Sequence, residues 1–262
     1  MEILTSRNNR WIKLAMQLKQ KKYRDKTSMF LMEGIRSAED AQVQNIKDVV
    51  CLIAGNKLQE GRISNIVKRG GELHWLFLQA EEELIQLISD TEHGQGLILI
   101  IPKQSVGKEV LIQGLKGKYI YLDMIQDPGN VGTIIRTAAA AGCHGVLLSE
   151  GCADPYSEKV VRSSMGSILR IPIYEGITIP FLLDLKNKSS IPFIGTSLTN
   201  AKPYSKKDAV EEALFIFGNE GNGVRKEILE MADWNIFIPL SGTVESLNVS
   251  SAAAVILFTY FM

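Results

Sequence analysis

Cysteine is scarce in this chain, and so is histidine: three of each among 262 residues. Cys51, Cys143 and Cys152 are odd in number, form no C-x-x-C pair and have no histidine at metal-ligand spacing. That arithmetic argues against a disulfide framework and a metal site, and the thiols read as reduced. Long apolar runs are missing too. The most apolar stretch, residues 251–262, falls short of the roughly 18 residues a membrane helix needs, so it reads as a buried terminal helix. Residues 1–10 run directly into charge with no apolar signal core, so a cytoplasmic setting without a membrane is expected. Neither charge is in excess, with 29 basic side chains against 29 acidic ones. Nucleic-acid binding by bulk charge is thereby disfavoured, although a local cationic patch remains able to displace counterions. No G-x-G-x-x-G follows the first strand of the C-terminal half, and no G-x-x-x-x-G-K-[ST] occurs anywhere. The dinucleotide fingerprint and the P-loop are both ruled out.

What is present alternates strand and helix. Hydrophobic content of 45% with 22% charged residues is ordinary for a globular protein, and the length suits one large or two modest domains. The basic residues are uneven: residues 1–36 carry nine against three acidic ones. Over residues 8–22, Trp11, Leu14, Ala15 and Leu18 recur at helical spacing, opposite Lys and Arg. A strand at Met29–Glu33 and a helix from Ile35 to Gln44 follow. Strands at 49–55, 73–79 and 96–102 then alternate with helices at 58–68 and 81–89, as in a small α/β sandwich over residues 1–102. Residues 103–118, with scattered Pro, Gly and Lys, read as a linker. From 119 to 262 the pattern is parallel α/β. Apolar runs at 119–123, 145–149, 170–174, 191–196, 214–218 and 235–239 suit strands covered on both faces.

Three segments stand out: DPGNVGTIIRTAAAAG (127–142), FIFGNEGNGV (215–224) and IPLSGTVESLNVSSAAA (238–254). Each reads as a loop at a strand end, and two open into Ala-rich helices. A parallel sheet lines such loops along one edge, where backbone N–H groups can close around a ligand. In the first, Asn130 reads as the helix N-cap and Arg136 follows in the helix. In the second, a turn explains the three glycines between 218 and 223 but not the lone carboxylate of Glu220 among them. In the third, Ser246 and Asn248 precede a helix beginning near Val249, where capping is an equal reading. A fourth cluster, Arg162, Ser163, Ser164 and Gly166, suits phosphate contact or an ordinary helix end.

In this order the three segments resemble the signature motifs of the SpoU (TrmH-type) RNA ribose methyltransferases of the SPOUT class. Asn130 and Arg136 fall on the first motif, Gly218, Glu220, Gly221 and Gly223 on the second, and Ser246 to Ala254 on the third. Ser6–Asn9 and the Glu33, Gly34, Arg36 string resemble, less specifically, a substrate-binding domain related to kink-turn-binding ribosomal proteins. The resemblance implies a trefoil-knotted parallel-sheet methyltransferase domain and S-adenosylmethionine as donor. It also implies a 2′-O-methylated ribose as product, in ribosomal RNA ahead of transfer RNA; a non-catalytic RNA-binding protein of this fold is the rival. Thr196, Gly218, Ile238, Ser246 and Leu247 would hold the donor. Arg136, Glu220, Asn130 and Asn248 would carry the chemistry, with Glu220 orienting Arg136 or accepting a proton. Arg7, Arg36 and Arg162 would bind RNA. A homodimer is implied, with each site completed by the partner chain across the Ala-rich and C-terminal helices.

Overall fold

The computed structural model describes residues 1–90, 94–104, 107–242 and 246–261, and the chain divides into two units. The first comprises Met1–Lys103 and Tyr156–Leu169. Its elements are β1 (Glu2–Leu4), α1 (Arg10–Leu18), α2 (Lys21–Thr27), β2 (Met29–Glu33), α3 (Ile35–Val43), β3 (Val50–Ala54), α4 (Gly61–Glu72), β4 (Leu76–Ala80), α5 (Glu82–Ile88) and β5 (Leu97–Pro102). The strands form a mixed sheet ordered β1-β4-β3-β5-β2, in which β5 runs antiparallel to β3 and β2. Alternate residues of β3 point to opposite faces. Leu52 packs with Ile12, Ala15 and Leu18 of α1 and with Leu84, Ile85 and Ile88 of α5 in one core.

The single helix expected over residues 8–22 is two. Asn9 caps α1 through its side chain, which accepts from Trp11 N, but Gln20 is extended and α2 restarts at Lys21. Buried Arg24 folds back from α2, and its Nη1 donates to Leu18 O at 2.6 Å. That bond satisfies a carbonyl orphaned at the end of α1, which favours the break.

The second unit comprises Gln104–Pro155 and Arg170–Met262. It contains β6 (Lys118–Asp123), α6 (Pro128–Ala140), β7 (Gly145–Ser149), β8 (Ile173–Ile177), α8 (Ile179–Lys188), β9 (Phe193–Thr196), β10 (Ala201–Pro203), β11 (Ala213–Gly218), α9 (Lys226–Leu229), β12 (Trp234–Phe237) and α10 (Val249–Phe261). Between β7 and β8 the chain leaves for the first unit, where it forms α7 (Glu158–Ser163). All seven strands are parallel, in the order β10-β12-β9-β11-β6-β7-β8. Helices α6 and α10 pack against each other, and α10 also reaches β11. There Phe215 meets Tyr260 and Phe261 edge-on, at 5.1 and 5.2 Å between ring centroids. A separate core gathers Tyr121, Leu147, Phe193, Leu214 and Ile216 with Leu182 and Leu185 of α8 and Ile228 of α9.

Two boundaries differ from the sequence reading. The stretch expected to be a linker supplies core: Leu111 and Leu115, each 1% exposed, belong to the second unit's hydrophobic cluster. The C-terminal half is also not one contiguous body. Tyr156–Leu169 packs with the first unit, where Tyr156 sits 5.0 Å from Phe30 and Val160, Val161 and Ile168 are buried. Burial of that apolar face draws the excursion out of the second unit, and no local composition change marks it.

Candidate active site

Strand order reverses direction in the second unit where β6 and β11 lie side by side, with β7 on one flank and β9 on the other. The crevice beyond the carboxyl ends at such a switch point is where open parallel sheets bind ligands. Gly218 and Asp123, the last residues of β11 and β6, are register partners there. Asp123 is 1% exposed, and its carboxylate accepts from three donors of Arg225: the backbone N at 2.9 Å, Nε at 2.9 and 3.2 Å to the two oxygens, and Nη2 at 2.6 Å. Bonding to Asp123 holds the Arg225 guanidinium pKa above its ordinary value. Asn219 Nδ2 adds a bond to Met124 O at 2.9 Å. The loops following the two strands are thus fastened to each other from below.

The second loop is a tight reversal. Asn219 and Gly223 exchange backbone hydrogen bonds at 3.1 and 2.9 Å, and Gly223 takes a left-handed φ of 68°. A Cβ on Gly218 would stand 2.2 Å from Gly223 C and Val224 N, so only glycine lets the returning chain pass. Glu220 rides on the exposed tip.

Asn130 is not the cap of α6, as the sequence suggested. Asp127 caps it, accepting from Asn130 N at 2.8 Å, with Pro128 opening the helix. Asn130 lies one turn in, and its side chain is committed elsewhere. Its Nδ2 donates to Glu220 Oε1 at 2.6 Å, while its Oδ1 accepts from Asn248 Nδ2 at 3.0 Å. Asn248 Oδ1 accepts in turn from Ser250 N at 2.9 Å and Ser250 Oγ at 2.6 Å. Asn248 therefore caps α10 and reaches across to α6 at once. A continuous hydrogen-bonded chain, Glu220–Asn130–Asn248, joins residues from all three loops.

Arg136 stands apart from this chain. Six residues beyond Asn130, it lies about 9 Å along the axis and about 120° around the helix. It is exposed and makes no hydrogen bond or ion pair among the described residues. The expected pairing of Glu220 with Arg136 is not formed within one chain: Glu220 meets Asn130, and Arg136 projects from another part of α6.

Next to the polar chain is a cavity of about 290 Å³. Thr196, Gly218, Ile238, Ser246 and Leu247 all line it, together with Glu220. Its walls are mainly apolar, from Leu198, Phe217, Ile236 and Ile256, and Thr196 is oriented by donating to Ile216 O at 2.8 Å. A slot of apolar walls rimmed by loop backbone and the hydroxyls of Thr196, Ser197 and Ser246 suits an adenosine, with the Gly218 cradle giving close backbone approach. The residues present fit S-adenosylmethionine on that ground.

The family model of the SpoU rRNA methylases matches residues 117–258, which hold all of this geometry. The chain belongs to the SpoU rRNA methylase family. A second model, the MRM3-like substrate binding domain, matches residues 9–99. Among curated relatives, the chain is 33% identical over 98% of both chains to the 23S rRNA (guanosine(2553)-2′-O)-methyltransferase RlmP of Bacillus subtilis. It is 27% identical to the mitochondrial rRNA methyltransferase 3A of Danio rerio, over 96% of this chain and 68% of that one. Among solved structures, it superposes on an AdoMet-bound rRNA methyltransferase from Sinorhizobium meliloti with a TM-score of 0.83 at 28% identity, covering 99% and 97% of the two chains.

The other residues singled out from the sequence fall in the first unit. Arg36 and Arg162, 126 positions apart, line one cavity there, and Arg7 lies exposed ahead of α1. Sequence reasoning missed Asp123, Arg225 and Asn219. The available signal was an acidic residue ending the apolar run YIYLD, but its partner is 102 positions away.

Proposed function

We propose that the chain transfers a methyl group from S-adenosylmethionine to a ribose 2′-hydroxyl of ribosomal RNA, in the cytoplasm. The observation that carries this reading is the Glu220–Asn130–Asn248 chain at the lip of an apolar, adenosine-sized cavity. S-adenosylmethionine, when bound, supplies an electrophilic methyl carbon. Leu198, Ile236, Ile238 and Leu247 would flank its adenine, and Thr196, Gly218 and Ser246 would meet its polar edges. Glu220 is fixed through Oε1 by Asn130, leaving Oε2 to accept the proton of an approaching hydroxyl. Asn248 holds Asn130 in the orientation that does this. Arg136 is a poor base, because a guanidinium presents only donors and offers no acceptor for a proton. Its part is to bind a phosphate and stabilise the developing alkoxide electrostatically.

The exposed position of Arg136 favours a site shared between two copies. Helix α10, which packs on α6, leaves Val255 at 36% and Phe258 at 45% exposed, an apolar stripe at helical spacing. A second copy covering that stripe would bring its own Arg136 towards the site. Sedimentation of the parent and of Phe258→Asp tests this: a parent dimer and a variant monomer support it, and a parent monomer at micromolar concentration refutes it.

The activity is tested with labelled S-adenosylmethionine and unmodified ribosomal and transfer RNA, alongside Arg136→Ala. Alkali spares a 2′-O-methylated linkage, so label in an alkali-resistant dinucleotide from ribosomal RNA, lost in the variant, is expected. Label in mononucleotides would mean base methylation, and label only in transfer RNA would move the substrate. No transfer and no binding of donor would favour a non-catalytic RNA-binding protein.

A further inference from the structure

The first unit contains a cavity of about 340 Å³ that the methyl-transfer site does not use. Leu31, Met32, Ile88, Ile98 and Val161 make an apolar wall, each buried. Arg36 and Arg162 are exposed and belong to its rim. The wall is completed only because Tyr156–Leu169 joins this unit, and Gly166 shows how closely it fits. At φ 79°, a Cβ on Gly166 would stand 2.3 Å from Asp40 Oδ2.

Glu158 is the unusual member of this lining. It is half-buried and accepts no hydrogen bond among the described residues. Its neighbours are otherwise engaged: Glu33 Oε1 accepts from Ser89 Oγ at 2.7 Å, and Asp90 Oδ2 from Arg162 Nη1 at 2.8 Å. Burial first, then the nearby Asp90 and Glu33 charges, raise the Glu158 carboxyl pKa, while Lys19 and Arg24 oppose the rise. A carboxylate so placed gains from a ligand that brings N–H donors and an apolar face.

We infer that this cavity is a second RNA contact, which takes one unstacked base whose paired N–H donors meet Glu158, while Arg36 and Arg162 hold the flanking phosphates. A volume near the lower end of small-ligand pockets, about 300–1,000 Å³, admits a purine but not a duplex. Single-stranded bases are read in this way, by an apolar or stacking surface and hydrogen bonds to an exposed edge. Guanine alone among the four bases presents two adjacent N–H donors, N1–H and N2–H, to a single carboxylate. The Arg162–Asp90 pair is solvent-exposed on both sides and holds Arg162 only weakly, so a phosphate can exchange for Asp90.

This rests on the RNA reading above, and the test separates the two. The full chain is titrated with a fluorescent single-stranded heptanucleotide carrying one guanosine, and with the same RNA carrying inosine, which lacks the N2 amino group. The parent is expected to bind the guanosine RNA about tenfold more tightly, and Glu158→Gln to bind both alike with methyl transfer still detectable. Equal affinity of the parent for both RNAs, with transfer activity intact, overturns the base site and leaves the RNA reading standing. No affinity for either RNA and no transfer to ribosomal RNA refutes the RNA reading itself. A fluorescent arginine-rich peptide, titrated into the parent without RNA, is expected not to bind. A peptide that binds the parent but not Glu158→Gln would assign the cavity to a protein partner and overturn the inference.

Discussion

Replacing Arg225 by alanine removes the cation from a carboxylate that water hardly reaches. Asp123 is 1% exposed, whereas the Arg225 side chain is 36% exposed, so the two partners do not suffer equally when parted. Arg225→Ala deletes the Nε and Nη2 bonds and leaves only the backbone N of residue 225 donating to Asp123. Breaking a buried pair by removing one partner costs about 3–5 kcal/mol, and the surviving backbone bond places this variant at the lower end, about 3 kcal/mol. Asp123→Asn removes the charge from the buried side, and the freed guanidinium can turn to water, so a loss of about 1.5–2 kcal/mol is expected. The double variant should be more stable than Arg225→Ala alone, since it no longer buries an unpaired charge. Thermal melts followed by circular dichroism read the order directly. At about 2–4 °C per kcal/mol for a unit of this size, Arg225→Ala should fall by about 6–12 °C. The same variants should weaken S-adenosylmethionine binding, measured by calorimetry, because the Gly218–Gly223 loop loses its tether. If Asp123→Asn proves the worse single change, or the two losses simply add, the argument from unequal burial is wrong.

Gly218→Ala should abolish donor binding, because its Cβ collides with the backbone of Gly223 and Val224 at 2.2 Å. Gly221→Ala, whose Cβ would sit 3.5 Å from Asn219 Oδ1, should change the donor Kd by less than about threefold, an ordinary surface effect. Leu111→Ala, in the stretch that reads as linker, should destabilise the second unit by about 2–5 kcal/mol in urea unfolding, as a core leucine does. A loss under about 0.5 kcal/mol would mean that Leu111 is not packed. Asp233 carries a pH prediction. Burial raises its carboxyl pKa, but the bonds from Lys186 and from Phe193 N, with the Lys186 charge, outweigh it and leave the pKa below the usual 3.8. The contribution of a lowered carboxylate is complete above its unfolded pKa and is lost as pH falls through the folded one. Asp233→Asn should therefore melt lower than the parent at pH 7, by a small amount for so exposed a pair, and the gap should close below about pH 4. A gap that persists at pH 2 would show that the loss is not electrostatic.

Much of the site is legible along the chain because it is assembled from loops that follow strands. Asn130, Glu220 and Asn248 each stand in a short run of glycine, asparagine or alanine whose local conformation is dictated by neighbours in sequence. All five residues expected to hold the donor do line one cavity, because a parallel sheet brings its strand ends to one edge whatever the connections between them. Helix capping was less legible. Asn130 and Asp127 are both good cap residues, and which one caps depends on Asn130 finding better partners 90 and 118 positions away.

Local sequence dictates the period of the elements, the α/β class, the family and the loops that matter, since backbone preference and hydrophobic spacing act over a few residues. Tertiary structure alone decided what depends on distant partners. It fastened Arg225, just beyond the Gly218–Gly223 loop, to Asp123 at the end of β6, and brought Glu220 to Asn130 rather than to Arg136. It sent Tyr156–Leu169 to the first unit and so put Arg162 and Arg36 around one cavity. Burial and pairing across a hundred residues are set by which surfaces close-pack once the sheets have formed, and no local window of sequence carries that information.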